Sequence, residues 1–337
     1  VERPSIPGSG LELPVLGADL AASLPAGPGG LRSVWATALV GRLVTQGVTF
    51  LDVGAIEAAE PIEHVVGGAS GPGTPVPLCI AAPIPPTVPA RIGGRPSPLR
   101  PAETPATDAE PVIEHVLAEM RRISSRCGRP APDIVWVDPA ELPALREGGG
   151  SALPDLTPLA GRPIVWGVRS PGRIPSPATA EAWIVAGVRV LAFPVHLLNA
   201  ASAVGAAAAV EALGARVIAL DPHGGGRLDG RLFGLRSTAP IAPPGRPLDP
   251  AALRRLAGPV LELAFLTEHR DRSLGEAALQ FALGVPGVVA VEAAFADPGD
   301  VEGWTAALGR TPLRDDERRR VIEIAETRAS RWRDGTS

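Results

Sequence analysis

The 337-residue chain contains no lysine and no tyrosine, so no position supplies an ammonium side chain or a phenol. All 32 basic side chains are arginines. Only two cysteines occur, Cys79 and Cys127, without CxxC spacing, which leaves no basis for a disulfide framework or a zinc finger. Aromatic residues are 4% of the chain, so no stacking platform for a flat ligand is advertised. No apolar run approaches the roughly 20 residues that a membrane-spanning helix needs. No basic segment followed by an apolar one opens the sequence, and a cytoplasmic protein with no membrane partner is expected. The net charge of −4 argues against nucleic acid, whose phosphates demand a concentrated basic surface. The arginines of Asp315-Asp316-Glu317-Arg318-Arg319-Arg320 are interleaved with acids and read as a solvated helix face.

What is present is globular: 45% hydrophobic and 20% charged residues, with the heavy Ala, Gly and Pro usage of a GC-rich bacterial genome. Short Val/Ile/Leu runs alternate with Ala-rich amphipathic stretches, the pattern of βα units around a parallel sheet buried on both faces. Eight strands are predicted, at Leu13–Ala18, Val48–Val53, Pro77–Ala82, Asp133–Val137, Pro163–Val168, Val188–Pro194, Arg216–Leu220 and Gly287–Val291. Helices are predicted near 32–46, 60–69, 108–126, 177–186, 199–213, 249–269 and 272–283. A closed (β/α)8 TIM barrel uses all of them, in one domain over 1–337. The Gly- and Pro-dense stretches 70–107 and 224–248 each follow a strand, which assigns them as loops over the C-terminal mouth. Two more helices are expected in the tail, around Trp304 and from Arg314 to about Arg333.

Several segments, in order, look like one known family. Gly10-Leu11-Glu12-Leu13-Pro14-Val15-Leu16-Gly17 suits an opening hairpin and first strand, and Gly47-Val48-Thr49-Phe50-Leu51-Asp52-Val53-Gly54 a second strand ending in an acid. Glu63-His64-Val65-Val66-Gly67, Gly167-Val168-Arg169-Ser170 and Phe193-Pro194-Val195-His196-Leu197-Leu198-Asn199 follow. Then come Ala219-Leu220-Asp221-Pro222-His223-Gly224-Gly225-Gly226 and the helix Leu274–Leu283. Together these resemble the aldo-keto reductases. The resemblance implies their barrel, with an N-terminal hairpin and extra C-terminal helices. It also implies reduction of a carbonyl by a nicotinamide, with a Tyr phenol, made acidic by a Lys ammonium, as proton donor.

The chain departs from that family where the chemistry should be. Asp52 keeps the acid of the catalytic tetrad, but Glu57 or Ala58 stands for the Tyr, Ala82-Pro83 for the Lys and Asp138 for the His. The residues that would hold the carboxamide correspond to Ser170 and Ala192, and the ring that would stack on the nicotinamide to Leu220. Around Val291–Phe295 no basic residue offers to hold a 2′-phosphate, and Glu292 with Asp297 would repel it. No cofactor is therefore expected.

Barrel geometry brings Asp19, Asp52, Glu57, Asp138, Arg169, His196, Asp221 and His223 to strand C-terminal ends, with Glu292 as a further candidate. Glu57 and Asp138 facing one another would raise one carboxyl pKa and give an acid near neutrality. His196 and His223 add groups that titrate near physiological pH. Asp52 and Arg169 are expected as an orienting pair, with Asp19, Asp221, Trp136 and Ser170 in contact with substrate. Such a set suits cofactor-independent general acid–base chemistry on a small molecule of bacterial specialised metabolism: dehydration, isomerisation or cyclisation. A non-catalytic binding or regulatory subunit and an atypical NAD(P)H-dependent oxidoreductase are the alternatives. A metal on His196, His223, Asp221 and Asp138 competes, but Asp-Pro-His is not a recognised ligand spacing and none is assigned. The triple glycine 224–226 reads as an anion cradle or as a hinge.

Overall fold

The computed structural model describes residues 5–23, 29–53, 65–68, 79–83, 91–92, 95–96, 109–128, 132–137, 139, 153, 155–156, 164–228, 257–268, 272–295 and 297–333. Eight parallel strands form a closed barrel: β1 (Leu16–Asp19), β2 (Phe50–Asp52), β3 (Cys79–Pro83), β4 (Ile134–Val137), β5 (Val165–Arg169), β6 (Val190–Pro194), β7 (Arg216–Leu220) and β8 (Val288–Ala293). β8 closes on β1 through Gly17↔Glu292, and β1 continues to β2 through Asp19↔Asp52. All eight lie on the strands expected from the apolar runs. The first is a correction at its start: Leu13 lies outside β1, in a hairpin bridged by Ser5 and Glu12. Leu13 is apolar because it is fully buried with Ile6 in the barrel interior, not because it extends the strand.

Alternation within each strand separates two apolar layers. Phe50, Ile134, Trp136, Val190, Ile218 and Leu220 point inward with Ile6 and Leu13. Leu51, Val135, Val168, Leu191, Phe193 and Val217 point outward against the helices. Two glycines make room for the inner rings. A methyl group on Gly17 would overlap the Phe50 ring, and one on Gly167 would overlap the Trp136 indole.

The outer helices are α1 (Gly29–Thr45), α2 (Ala109–Cys127), α3 (Pro177–Val185), α4 (Ala200–Ala212), α5 (Phe265–Glu268), α6 (Leu274–Leu283), α7 (Asp300–Leu308) and α8 (Asp315–Arg333). α7 and α8 are the two expected tail helices. A buried ion pair, Arg272 Nη2 to Glu317 Oε1 at 2.9 Å, ties α8 to the segment before α6. The helix expected at 249–269 is shorter where described: helical turns cover 257–261 and Phe265–Glu268, with a break between. Within 70–107 a small antiparallel ribbon joins Arg91–Ile92 to Arg95–Pro96. Apart from β3 and this ribbon, 70–107 lies outside the described residues, as does 229–248. No described helix is long and apolar enough to cross a membrane.

Candidate functional site

Inward-pointing residues near the strand C-terminal ends are apolar around much of the barrel, with Ala192 on β6 and Leu220 on β7. On β1, β2, β5 and β8 they are charged: Asp19, Asp52, Arg169 and Glu292. The Arg169 guanidinium reaches from β5 to the three carboxylates. Its Nη2 donates to Asp19 Oδ2 and to Glu292 Oε1, the latter at 2.6 Å, and its Nε lies 3.3 Å from Asp52 Oδ2. Trp136 Nε1 donates to the same Asp52 oxygen at 2.8 Å. Asp19 Oδ1 accepts from the Ala22 amide at 2.7 Å, which fixes the first loop beneath it. The Asp52 and Glu292 side chains are 1% and 0% exposed, whereas that of Arg169 keeps 25% of its surface open. No described residue accepts from Arg169 Nη1.

Three carboxylates around one guanidinium shift the titration of the set. Desolvation would lower the arginine's pKa, but Glu292, Asp52 and Asp19 outweigh it and hold the guanidinium cationic. Burial, reinforced by Asp52 and Asp19, pushes the Glu292 carboxyl well above the usual carboxylate range despite Arg169. Its Oε2 is buried without a hydrogen-bond partner among the described residues.

A second group of polar residues occupies the rim after β6 and β7. His196 follows β6. Its backbone amide donates to Asn199 Oδ1 at 2.9 Å, and Asn199 Nδ2 returns a bond to Pro194 O at 3.0 Å. The His196 ring lies against Gly224, and its buried Nδ1 has no partner among the described residues. Burial, then the charge of Arg227, lowers its pKa to about 4. After β7 the chain turns sharply. Asp221 has φ 47°, the only positive φ at a described non-glycine residue, and Gly224, Gly225 and Gly226 are all left-handed. Asp221 Oδ1 accepts from the Gly225 amide at 2.7 Å. Beyond the turn, His223 lies at a ring-centroid distance of 4.3 Å from Trp304 and places Nε2 3.1 Å from Gly275 O.

The expected residues therefore divide. Asp52, Arg169, Asp19 and Trp136 meet in the barrel interior; His196 and Asp221 share the rim, and His223 faces α6 and α7. The Ser170 hydroxyl donates to Arg173 O at 2.8 Å. Glu57 and Asp138 lie outside the described residues. Among the described residues no cluster of three or more His, Cys, Asp or Glu is arranged to hold a metal. Two participants were assigned no role from the sequence, although Glu292 was counted among the groups at the strand ends. Glu292 is a lone acid in an apolar strand at the same parity as inward-facing Ala290, a signal that was available. Arg227 carried no local signal.

A closed eight-stranded barrel with a hairpin before β1 and two helices after β8 has counterparts among solved structures. The holo form of aldo-keto reductase AKR11C1 from Bacillus halodurans is similar at a TM-score of 0.65 and 19% identity, covering 96% of both chains. Glycerol dehydrogenase AKR11B4 from Gluconobacter oxydans gives 0.64 and 17% identity over 95% of this chain and 94% of that one. The chain has the aldo-keto reductase fold. No family model and no curated protein sequence matches it. Arg169, on β5, provides a cation 3.3 Å from Asp52 at the end of β2.

Proposed function

We propose that the barrel carries out a cofactor-independent acid–base reaction on a small organic molecule at its C-terminal mouth. Dehydration, isomerisation and cyclisation are the reaction types in view. The observation that carries this reading is the Arg169 guanidinium, held by Asp19, Asp52 and Glu292 with Nη1 left without a described partner. When a proton leaves the carbon beside a carbonyl, negative charge develops on the oxygen. A donor fixed in advance where that charge appears lowers the barrier. Arg169 fills that role, and Asp19 and Asp52 orient it. Glu57 and Asp138, placed by their positions in the chain, move the protons. His196, with a pKa near 4, is a weak base at neutral pH and is assigned no proton transfer.

The positions that would hold a nicotinamide do not fit it. Ser170 spends its hydroxyl on Arg173 O, Ala192 and Leu220 are buried apolar residues, and no residue of the chain supplies the phenol or the ammonium. These features support a reaction without hydride transfer. The rival reading is a non-catalytic binding or regulatory subunit, favoured by the near-complete burial of Asp52, Trp136 and Glu292. An atypical oxidoreductase is favoured only by the names of the structural neighbours.

Exchange with heavy water separates these readings. The protein is incubated in D2O with a panel of hydroxy-carbonyl compounds, and carbon-bound deuterium is followed by NMR. Catalysed incorporation that Arg169→Met abolishes is expected. Incorporation no faster than in buffer supports the rival subunit, and saturable quenching or enhancement of NADPH or NADH fluorescence revives the oxidoreductase.

A further inference from the structure

We infer that Glu292 is a positioning residue of the site, an uncharged acceptor on β8 that fixes one end of the Arg169 guanidinium and leaves its attraction for an oxyanion undiminished. The inference rests on the proposed function for the role of Arg169 and adds a residue to it. β5 stands opposite β1 in the ring of strands, so the Arg169 side chain spans the mouth. At its far end Nη2 donates to Asp19 Oδ2 on β1 and to Glu292 Oε1 on β8, the latter at 2.6 Å. Held from two strands, that nitrogen sets the plane of the guanidinium and leaves Nη1, which has no described acceptor, for a ligand. Glu292 is placed to do this without charge. Its side chain is 0% exposed, and Oε2 is buried with no hydrogen-bond partner among the described residues. An oxygen that no donor reaches is less costly to bury as a carboxylic acid than as half of a carboxylate. Gly17 on β1 and Leu220 on β7 flank Glu292 in register and bring no polar side-chain atom. The described charged groups that face it are Arg169, Asp19 and Asp52. Burial first, then the two carboxylates, push its carboxyl above the usual range against the pull of Arg169. With a proton on Oε2, Oε1 remains a carbonyl acceptor for Nη2. An ionised Glu292 in the same place would draw on the guanidinium and weaken it as a donor at Nη1.

The test follows deuterium incorporation into the same hydroxy-carbonyl panel with the full chain, Glu292→Gln and Glu292→Leu. Glutamine keeps a carbonyl where Oε1 lies and should retain the rate within about threefold. Leucine fills the space without an acceptor and should lower kcat about tenfold or more with KM little changed. In the unmutated protein the rate should fall as rising pH ionises Glu292, and that fall should be absent from Glu292→Gln. Two further signals need no substrate. In ligand-free protein with 15N-labelled arginine, hindered rotation at Arg169 Nη2, assigned with Arg169→Met, should persist in Glu292→Gln and weaken in Glu292→Leu. In the unmutated protein with 13C-labelled glutamate, the Glu292 carboxyl, assigned with Glu292→Gln, should stay protonated at neutral pH, which keeps the idea testable if Glu292→Leu does not fold. A glutamine variant as damaged as the leucine variant overturns the inference, as does a Glu292 carboxyl already ionised at neutral pH. No incorporation by the unmutated protein, with the arginine and carboxyl signals as expected, overturns the catalytic reading alone.

Discussion

The barrel interior and the rim after β6 and β7 each bury an ionisable group, and burial acts on them with opposite sign. In the interior, Glu292 sits with two other carboxylates beside one guanidinium and is driven toward its neutral, protonated form. At the rim, His196 lies against the triple glycine near Arg227 and is driven toward its neutral, deprotonated form. Low polarity disfavours charge in both places, but the interior cluster retains a cation that the acids can share, while the rim surrounds its base with a second cation. The first arrangement fixes a charged donor at the mouth; the second silences a base.

Breaking the interior produces the largest expected effect. Arg169→Met leaves the Asp52 carboxylate buried without this cation and should cost about 3–5 kcal/mol at neutral pH in urea unfolding, with the loss shrinking as acid protonates it. A loss below about 1 kcal/mol would mean that the cluster is not held together by charge. At the rim, an unfolded histidine takes a proton near 6.5 and the folded His196 only near 4. The unfolded state therefore binds the extra proton between those values, and stability falls as the pH falls from 6.5 to 4. The slope is worth on the order of 3 kcal/mol and should vanish in His196→Gln, read from unfolding curves across that range. Gly167→Ala drives a methyl group into Trp136 and should cost about 1–3 kcal/mol, together with a change in tryptophan fluorescence. Glu292→Gln should have the smallest effect, because burial moves the folded carboxyl toward the neutral form that glutamine mimics. Its sign is opposite to that at His196. The folded state keeps a proton that the unfolded state releases above 4.5, so stability is lost as the pH rises from 4.5 through the raised folded value. Glutamine removes that slope, and unfolding curves that stay parallel to those of the unmodified protein would show Glu292 to be ionised.

Much of the architecture was legible because barrel strands announce themselves locally. Apolar runs such as Val188–Pro194 are bounded by glycine and polar residues, and both faces are buried. The pairing of Asp52 with Arg169 also followed from strand geometry, and the two approach to 3.3 Å. What escaped notice depends on register between distant strands. Trp136 fits only because Gly167 stands on the next strand, a complementarity that neither segment contains alone. Glu292 was read for its charge toward a phosphate, although its place in the two-residue alternation points it inward. His223 adjoins a strand end in sequence, yet the left-handed turn at Asp221 carries it away to Trp304. Glu57 and Asp138 fall outside the described residues, so their part rests on chain position.

The hairpin of Ser5 and Glu12 bears on traffic. Ile6 and Leu13 lie buried among the inward residues Phe50 and Ile134, and they stopper the end of the barrel opposite Arg169. Among the described residues that end is filled, so under the proposed function a molecule that enters past the guanidinium leaves on the side by which it came, and spent product competes there with fresh substrate.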